Sequence, residues 1–455
     1  AMHRRPEPRR TMRSLAMRSL AMRSLAMRSL AMRSLAMRSL ALVGALLLGA
    51  AAPAHAQEPR APRGGVIVVS PTGPVRTIAQ AVNRADSGAR IVVKPGVYRE
   101  PTILVDRPVE IVGEGFPVLD GEGERQIMTV VADGVTVRGL HFRNVGASYV
   151  EDRAAVRVAG ASDCVIQGNR FEETFFGVYL AQASRCRVEG NDIHGTGRTE
   201  SNTGNGIHLW TSRDVVIADN RIRGHRDGIY LEFARATQVR DNVSERNLRY
   251  GLHFMYADSC DYARNTFARN HAGVAVMYTK QVHMDGNRFE DNWGSAAYGL
   301  LLKEISDVRI TGNTFAGNST ALLADGTNRM VVEGNRFVRN GFAVRLRANA
   351  QESRFAANDF AGNSFDVATN SRYNSTEFRG NYWDAYRGYD LDRDGVGDAP
   401  FRPVRLFSLL VEHYPPTLAL MRSLLVDLLD AAERVIPALT PETLIDSSPA
   451  MRRVT

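Results

Sequence analysis

The sequence predicts an all-β protein: a right-handed parallel β-helix with coils of about 22 residues, an N-terminal capping helix and a C-terminal helical tail. One observation behind this is an asparagine that recurs every 22 or 23 residues, apart from two longer intervals. Another is the short alternating segments, rich in β-branched residues, that separate these asparagines. This first ladder consists of Asn169, Asn191, Asn220, Asn242, Asn265, Asn287, Asn313, Asn335, Asn358 and Asn381.

The two longer intervals are explained by insertions into the coil, near residues 198–204 and 293–297. Successive coils of a β-helix stack about 4.8 Å apart, so equivalent positions form columns along the axis. We expect stacked amide side chains to hydrogen-bond along such a column, which gives the asparagines a structural role. A second ladder follows five residues after the first, at Asn247, Asn270, Asn292, Asn318, Asn340 and Asn363.

Residues 1–56 are typical of a secretory signal peptide with an expanded leader. Six copies of Met-Arg-Ser-Leu-Ala at 12–41 precede an apolar run at 41–52 and a small-x-small cleavage site at 54–56. A membrane anchor is the alternative, but the run is shorter than the roughly 20 apolar residues that span a bilayer. We therefore expect the mature chain to start near Gln57 and to work in an exported, oxidising compartment.

The rest of the chain divides into three predicted parts. Residues 57–100 form an N-terminal cap with the first strands, including a helix over 75–85. Residues 101–400 form the β-helix, and residues 401–455 form the helical tail. Apolar residues at helical spacing between proline boundaries predict one helix in this tail, over 415–437. That helix either caps the open end of the β-helix or docks on a partner.

The charge distribution argues against a nucleic-acid partner. The formal net charge is +8, from 57 basic and 49 acidic residues. Residues 1–56 hold ten of the arginines and one of the glutamates, which leaves 47 basic and 48 acidic residues in the remainder. The predicted mature protein is thus close to neutral and lacks a basic footprint.

The three cysteines occupy the same position of their coils, five residues before a ladder asparagine. Other coils carry apolar residues there, such as Val215 and Val282, which indicates the core. Cys164 and Cys186 lie on successive coils and are close enough for a disulfide, with buried free thiols as the alternative. Cys260 is three coils further on and cannot join them.

Candidate chemistry lies in two columns on the outer face of one sheet. One strand of each coil starts at a glycine or small residue, and strand alternation places the residue two positions later outside. The first column is Tyr179, His208, Tyr230, His253, Ala275 and Leu301. The second is Ala181, Trp210, Glu232, Met255, Met277 and Lys303.

Imidazole and thioether groups together suit Cu(I) and suit neither Ca²⁺ nor Mg²⁺. The predicted copper ligands are His208, Glu232, His253, Met255 and Met277. The alternative is an aromatic and methionine-rich patch that binds a protein partner without metal. The predicted partner-binding residues of this face are Trp210, Tyr230, Tyr256, Tyr278 and Lys303.

A second metal site is suggested near the C-terminus. Asp390, Asp392, Asp394 and Asp398 occupy positions 1, 3, 5 and 9 of a calcium loop. Position 12 is Phe401, so the usual bidentate glutamate is missing. The segment is either a weak calcium site or a plain Asp-Gly turn.

Parallel β-helices also act on acidic polysaccharides, so a lyase or epimerase is the main alternative function. A hydrolase of that class needs carboxylates that converge on one face. The two outer columns supply Glu232 alone, and no Asp-Asp pair occurs in the chain. We therefore expect a protein that is not an enzyme.

Several segments resemble the NosD-type maturation proteins of nitrous oxide reductase. They are Arg-Tyr-Gly-Leu-His-Phe-Met-Tyr at 249–256, Gly-Val-Ala-Val-Met-Tyr at 273–278, Gly-Leu-Leu-Leu-Lys at 299–303, the region 380–398, and Leu-Leu-Asp-Ala-Ala-Glu-Arg at 428–434. The resemblance covers about residues 64–453. The methionine-tyrosine strands and the tail are its more specific parts, because asparagine repeats occur in many solenoids.

This resemblance implies a periplasmic β-helix that works with an ABC transporter, made of a cytoplasmic ATPase and a membrane permease. It implies a role in building the copper–sulfide centre of nitrous oxide reductase. It further implies that a lipoprotein chaperone delivers the copper and that the tail at 401–455 contacts the permease. The ligand set proposed above comes from the columns and not from the family.

Overall fold

The computed structural model describes residues 64–454, with gaps at 149, 348–349, 371–374, 422 and 437–443. The predicted signal peptide at 1–56 lies outside the described residues. The described chain winds into a parallel β-helix, which confirms the predicted fold class. Each full coil places one strand in each of three sheets, and strands of successive coils pair in parallel.

Sheet one consists of Val66–Val69, Ala89–Val93, Val109–Gly113, Thr136–Arg138, Val165–Gln167, Arg187–Glu189, Val216–Ala218, Gln238–Arg240, Cys260–Ala263, Lys280–Asp285, Ser306–Thr311, Asn328–Glu333, Arg354–Ala356 and Glu377–Arg379. Sheet two consists of Val97–Tyr98, Val118–Asp120, His141–Arg143, Arg170–Glu172, Asp192–His194, Arg221–Arg223, Val243–Glu245, Thr266–Ala268, Arg288–Glu290, Thr314–Ala316, Arg336–Val338, Asp359–Ala361 and Tyr382–Trp383. Sheet three consists of Ile103–Val105, Met128–Val130, Ala154–Ala159, Phe176–Ala181, Ile207–Trp210, Asp227–Glu232, Tyr250–Met255, Ala272–Met277, Tyr298–Lys303, Thr320–Asp325, Phe342–Leu346 and Phe365–Thr369.

Aromatic rings stack along the inside of sheet two. Neighbouring ring centroids in this stack are 4.1–5.7 Å apart. Parallel stacking of buried rings adds to the stabilisation that burial itself supplies. The stack consists of Phe267, Phe289, Phe315, Phe337, Phe360 and Trp383.

The first asparagine ladder is buried and hydrogen-bonded, as predicted. At Asn313, Oδ1 accepts bonds from the backbone N and Nδ2 of Asn287 at 2.8 and 3.0 Å. Nδ2 of Asn313 donates to Oδ1 of Asn335 at 3.0 Å and to the carbonyls of Met284 and Thr311, both at 2.9 Å. Each amide therefore links its own coil to the coils before and after it.

The first helix, α1 (Ile78–Arg84), lies within the predicted range and packs on the first strands. Thr77 Oγ1 accepts a bond from Gln80 N at 3.1 Å, which makes Thr77 the N-cap. The Glu100 carboxylate accepts bonds from the backbone N of Ile78 and Ala79, at 2.7 and 3.0 Å. A carboxylate at this end also complements the helix dipole.

The C-terminal tail departs from the prediction of a single helix over 415–437. It contains α2 (Leu406–His413), a 3₁₀ helix (Pro415–Leu420) and α3 (Leu424–Val435). Pro415 and Pro416 are the first two residues of the 3₁₀ helix, where the missing N–H groups cost no helical bond, and the α-helix starts only after Ser423. Among the described helices, none has both the length and the apolar character to cross a bilayer.

The chain then returns to the end of the β-helix and completes the ladder. Asp446 is fully buried, and its Oδ2 accepts bonds from N and Nδ2 of Asn381 and from Nε1 of Trp383, at 3.0–3.1 Å. Its Oδ1 accepts bonds from the backbone N of Gly380 and Ser448, both at 3.2 Å. The ladder therefore ends on a carboxylate rather than on either tail helix.

The three cysteines are buried free thiols. Cys164 and Cys186 precede paired strands of sheet one, as the coil spacing predicted. The contact with Cys186 and burial in the core both raise the pKa of Cys164. The structure thus has the free-thiol alternative and no Cys164–Cys186 disulfide.

Candidate functional site

The strand register of sheet three aligns both predicted columns. His208 pairs with Tyr230, and Tyr230 pairs with His253. In the second column, Trp210, Glu232, Met255, Met277 and Lys303 follow one another on successive strands. The intervening residues Leu209, Leu231 and Phe254 lie in the main core, so the two columns face outwards as predicted.

The side chains of the first column were expected to be exposed, but three of them are buried. His208, Tyr230 and His253 are only 7, 9 and 5% exposed. Neighbouring rings cover them: His208 lies between Tyr179 and Tyr230, with ring centroids 4.5 and 4.9 Å away. His253 lies between Tyr230 and Tyr250, at 4.7 and 4.8 Å. Tyr230, predicted as a partner-binding residue, is therefore part of this covered stack and is not an exposed contact.

Glycine is required at position 251 by the close approach of the next coil. A Cβ at Gly251 would lie 2.7 Å from Nδ2 of Asn270 and 2.8 Å from the carbonyl O of Gly273. On the same strand, the rings of Tyr250 and His253 pack together on the outer face.

Each histidine has one ring nitrogen in a contact and one without a partner among the described residues. Nδ1 of His208 lies 3.2 Å from Nδ2 of Asn205. Nδ1 of His253 lies 3.4 Å from both Oδ2 of Asp227 and Nη2 of Arg249. The Nε2 atoms of both histidines are buried and unpartnered within this part of the chain. Unpaired imidazole nitrogens in a dry site are suited to bind a soft metal ion.

Burial keeps the ring of His208 neutral. Loss of solvent, together with the charge of Arg226, lowers the pKa of His208 to about 3. The same loss of solvent, with the charge of Glu232, raises the pKa of Tyr230 to about 12. Both groups are therefore uncharged at neutral pH, and the imidazole lone pair is available without loss of a proton.

The thioethers lie beside this stack and closer to solvent. Met255 and Met277 are half-buried and paired on adjacent strands. The hydroxyl of Tyr230 donates to Sδ of Met255 at 3.5 Å, which links the methionine column to the histidine column. Glu232 and Lys303 lie in the same column, on either side of the two methionines.

An exposed aromatic stack borders the methionines. Phe233, Tyr256 and Tyr278 stack with centroids 5.2 and 5.3 Å apart, and all three are exposed. Trp210 is exposed on the coil before them. Their ring planes are nearly parallel to one another, so the middle ring, Tyr256, has both faces covered by its neighbours.

Sequence reasoning missed Asp227 and Arg249. Nε of Arg249 donates to Oδ1 of Asp227 at 2.8 Å, and Nη2 forms an ion pair with Oδ2. Asp227 has no exposed side-chain surface. Burial alone would raise the pKa of Asp227, but its bonds to Arg249 and His253 hold that pKa below the ordinary value. A sequence feature could have pointed to both residues. Asp227 lies one position before Gly228 and Arg249 two positions before Gly251, at the start of strands that carry the histidine column.

The predicted calcium loop brings three of its four carboxylates together. One oxygen each of Asp390, Asp392 and Asp394 lie within 4.8 Å of one another. Asp398 instead accepts a bond from the backbone N of Leu391 at 2.7 Å. Asp390 accepts one from the backbone N of Gly395, so these carboxylates also stabilise a turn. A calcium ion at this loop stays a prediction.

Comparison of the sequence with known proteins finds a family model and two relatives that all carry the name NosD. The family model described as "Periplasmic copper-binding protein (NosD)" matches residues 190–388. A Pseudomonas aeruginosa protein named "Probable ABC transporter binding protein NosD" is 31% identical over 388 residues, covering 81% of this chain and 90% of its own. A Stutzerimonas stutzeri protein of the same name is 29% identical over 368 residues, covering 76% and 84%.

Among solved structures, the family 28 exopolygalacturonase of Yersinia enterocolitica matches with a TM-score of 0.53 and 8% identity, over 69% of this chain and 78% of that one. Such a likeness concerns the β-helix fold alone. The relatives named NosD match by sequence over most of their length, across the strands that carry both columns. The chain belongs to the NosD family.

Proposed function

We propose that this protein is a periplasmic accessory factor for the assembly of the copper–sulfide centre of nitrous oxide reductase, and that it is not an enzyme. The observation that carries the proposal is that two unpartnered imidazole nitrogens and two thioethers line the same wall of sheet three. Membership of a family described as periplasmic copper-binding supports copper as the cargo.

Copper would travel as Cu(I) along the wall formed by His208, His253, Met255 and Met277, with Glu232 beside them. Because the ring of Tyr230 lies between the two histidines, His208 and His253 would serve successive positions of the ion rather than one shared site. Neutral imidazole and thioether donors prefer a soft, singly charged ion. A covered site of this kind admits a low charge more readily than a doubly charged ion, because desolvation costs rise with charge. The half-buried methionines offer the entrance, and the buried histidines lie behind them.

The exposed aromatic stack is the proposed docking surface for the copper donor or for the client reductase. Trp210, Tyr256 and Tyr278, with Lys303 nearby, present aromatic surface next to the thioethers. Aromatic side chains are enriched at protein interfaces, where they bury area at little entropic cost. The partners we propose here are a lipoprotein copper chaperone and nitrous oxide reductase.

The tail at 401–455 is the proposed contact with the permease of an ABC transporter, whose ATPase lies in the cytoplasm. The names of both relatives support an association with such a transporter. Exposed apolar side chains cluster here, including Leu424, Leu425 and Leu428 of α3. The acidic residues Asp430 and Glu433 bond towards Arg405 and the backbone of Leu406, so the side of α3 that faces away from the protein is largely apolar.

Deletion of the gene tests the proposed role directly. Without the protein, exported nitrous oxide reductase should lack its catalytic copper–sulfide centre while keeping its polypeptide level. Absorption spectra and copper and sulfide content of the purified reductase would measure this. Fully active reductase from the deletion strain would contradict the proposal.

The double substitution Met255→Leu and Met277→Leu separates metal binding from docking. Leucine preserves apolar volume but removes the sulfur ligand, so we expect Cu(I) affinity to fall at least tenfold while contact with the reductase is retained. Competition with a chromophoric Cu(I) chelator gives the affinity, and a pull-down gives the contact. Met421→Leu, on the C-terminal tail, is the matched control. Unchanged Cu(I) affinity would favour a purely aromatic docking patch.

The carbohydrate alternative makes a separate prediction. A lyase would release unsaturated sugars from alginate or pectin, and an epimerase would change the uronate composition of the polymer. We expect neither product across a panel of polyuronates, measured by absorbance of unsaturated ends and by NMR of the polymer. Either product would replace the copper proposal with an enzymatic one.

A further inference from the structure

The two ring nitrogens of His253 have different surroundings. Nδ1 lies 3.4 Å from Oδ2 of Asp227, while Nε2 is buried with no partner in the part of the chain that the structure describes. A neutral imidazole carries its proton on one nitrogen and its lone pair on the other. The position of that proton therefore decides whether Nε2 can bind a metal ion.

The Asp227 carboxylate acts as a hydrogen-bond acceptor. It accepts hydrogen bonds from Nε and Nη2 of Arg249 and from the backbone N of Tyr250, the last at 3.3 Å. With the Arg249 guanidinium facing it, the carboxylate is ionised and cannot donate to Nδ1.

Arg249 also lies 3.4 Å from Nδ1 and could donate there, which would place the ring proton on Nε2. That arrangement buries an N–H group with no acceptor among the described residues. The opposite arrangement gives Nδ1–H a charged acceptor in Asp227 and leaves only a lone pair at Nε2. The arrangement with an unpaired buried Nε2–H, and with the Asp227 carboxylate facing an unprotonated Nδ1, is the costlier of the two.

We propose that Asp227, oriented by Arg249, is a positioning residue that keeps His253 in the Nδ1–H tautomer and so makes Nε2 the copper donor. The claim that Nε2 binds copper rests on the proposed function. The claim that His253 is in the Nδ1–H tautomer does not. Carboxylates behind metal-binding histidines act in this way in many metal sites, fixing both the ring orientation and the tautomer.

His208 provides an internal reference, because its Nδ1 contacts the Asn205 side-chain amide at 3.2 Å. An amide presents either its oxygen or its nitrogen after rotation, so it accepts or donates equally well. The tautomer of His208 is therefore not dictated by its neighbour. A change at Asp227 should move the signals of His253 and leave those of His208 in place.

The first experiment measures the wild-type protein and uses variants only to assign signals. Nitrogen-15 NMR of the full-length protein, with labelled histidine and no copper, distinguishes a protonated from an unprotonated ring nitrogen. Signals are assigned with His208→Gln and His253→Gln. We expect an unprotonated Nε2 at His253 near neutral pH. A wild-type spectrum with Nε2–H at His253 would overturn the proposal.

The second experiment replaces Asp227 by asparagine. Arg249 will hold the amide oxygen, so the amide nitrogen faces Nδ1 and forces the proton to Nε2. We expect the His253 tautomer to switch and Cu(I) affinity to fall 10–100-fold in chelator competition. Asp241→Asn is the matched control, because Asp241 also accepts two bonds from one arginine, Arg264, but far from this site.

The outcomes separate the two ideas. If Asp227→Asn folds, as judged by circular dichroism, and His253 keeps its tautomer, the positioning role is wrong. If the tautomer switches but wild-type protein binds no Cu(I), the positioning role holds and the proposed copper function fails. If the variant does not fold, the wild-type spectrum alone decides, and Arg249→Lys, which keeps the carboxylate, should retain the Nδ1–H tautomer.

Discussion

His225 occupies the place of an asparagine in the second ladder, five residues after Asn220. Its backbone N donates to Oδ1 of Asn247 at 3.2 Å, as a ladder asparagine would. Its ring nitrogens make no well-formed hydrogen bond among the described residues, although the carbonyl groups of Phe175 and Gly204 lie near the ring. The side-chain bonds that continue from Asn247 to Asn270 are therefore interrupted at His225.

Acid should destabilise the protein through this residue. Burial lowers the pKa of His225 to about 3, whereas an unfolded histidine titrates near 6.5. Between these values the unfolded chain binds a proton that the folded chain does not, so stability falls as pH falls from about 6.5 towards 3. The loss approaches about 1.4 kcal/mol per pH unit for one such histidine.

We therefore expect His225→Asn to raise stability by about 1 kcal/mol at neutral pH, through a restored bond to Asn247 Oδ1. The same variant should flatten the loss of stability below pH 6.5, although buried His208 leaves some of it. Urea unfolding at several pH values measures both effects. The exposed His283→Asn is the control, and an unaltered pH slope in His225→Asn would show that His225 is not the sensitive group.

At the scale of elements, the open end of a β-helix is a row of unpaired groups that favours aggregation unless it is covered. α1 packs at one end of the described chain. At the other end a segment with bridges at Asp446 and Ala450 covers the last strands of sheets one and two. Asp446 extends the asparagine ladder by one step, although 65 residues separate it from Asn381.

Asp446→Ala should be strongly destabilising. It leaves the N–H groups of Gly380, Asn381 and Trp383 without their acceptor, and we expect a loss of at least about 3 kcal/mol. Asp446→Asn should fall between wild type and alanine, because one side of an amide carries N–H groups that face other donors. Thermal unfolding, followed by tryptophan fluorescence, measures the change.

Asp307→Asn provides the comparison for this cap, since Asp307 pairs with Arg329 on the exposed surface. An exposed ion pair contributes little to stability, because solvent and salt screen the two charges. Equal effects at positions 307 and 446 would show that the C-terminal segment does not hold the end of the β-helix.

At the scale of the whole molecule, the tail helices contact the β-helix through a small apolar cluster that is distinct from the main core. α2 packs through Phe407 and Val411 on Phe342 and Phe365 of sheet three, in a cluster apart from the main core. Arg345 pairs with the nearly buried Glu412 of α2 at 2.6 Å. α2 therefore belongs to the covered end of the β-helix, whereas α3 can be altered while α2 stays in place.

Replacing residues 415–436 by a flexible linker, while keeping α2 and residues 444–454, should leave the β-helix folded but abolish co-purification with the transporter permease. The retained segment still supplies Asp446 to the ladder, so the coil stack keeps its end. A pull-down from solubilised membranes, together with thermal unfolding, measures both properties. Permease recovered at the wild-type level would show that the tail helices are not the contact.

Much of the site follows from the coil length. Once the asparagine period is known, strand alternation and coil stacking predict that His208, His253, Met255 and Met277 share one wall, and the strand register agrees. Their depth was not predictable in this way. The rings of Tyr179 and Tyr250 cover the histidines, and packing of that kind depends on side-chain rotamers.

By itself, the sequence determined the coil, its register and the face on which each residue lies, because a repeat of constant length imposes the same geometry on every turn. The tertiary structure alone decided which nitrogen of His253 is left unpartnered, that Asp227 and Arg249 stand behind it, and that Asp446 closes the ladder. These contacts join residues by hydrogen bonds whose partners depend on distances of a few tenths of an ångström, and no periodic pattern carries that information.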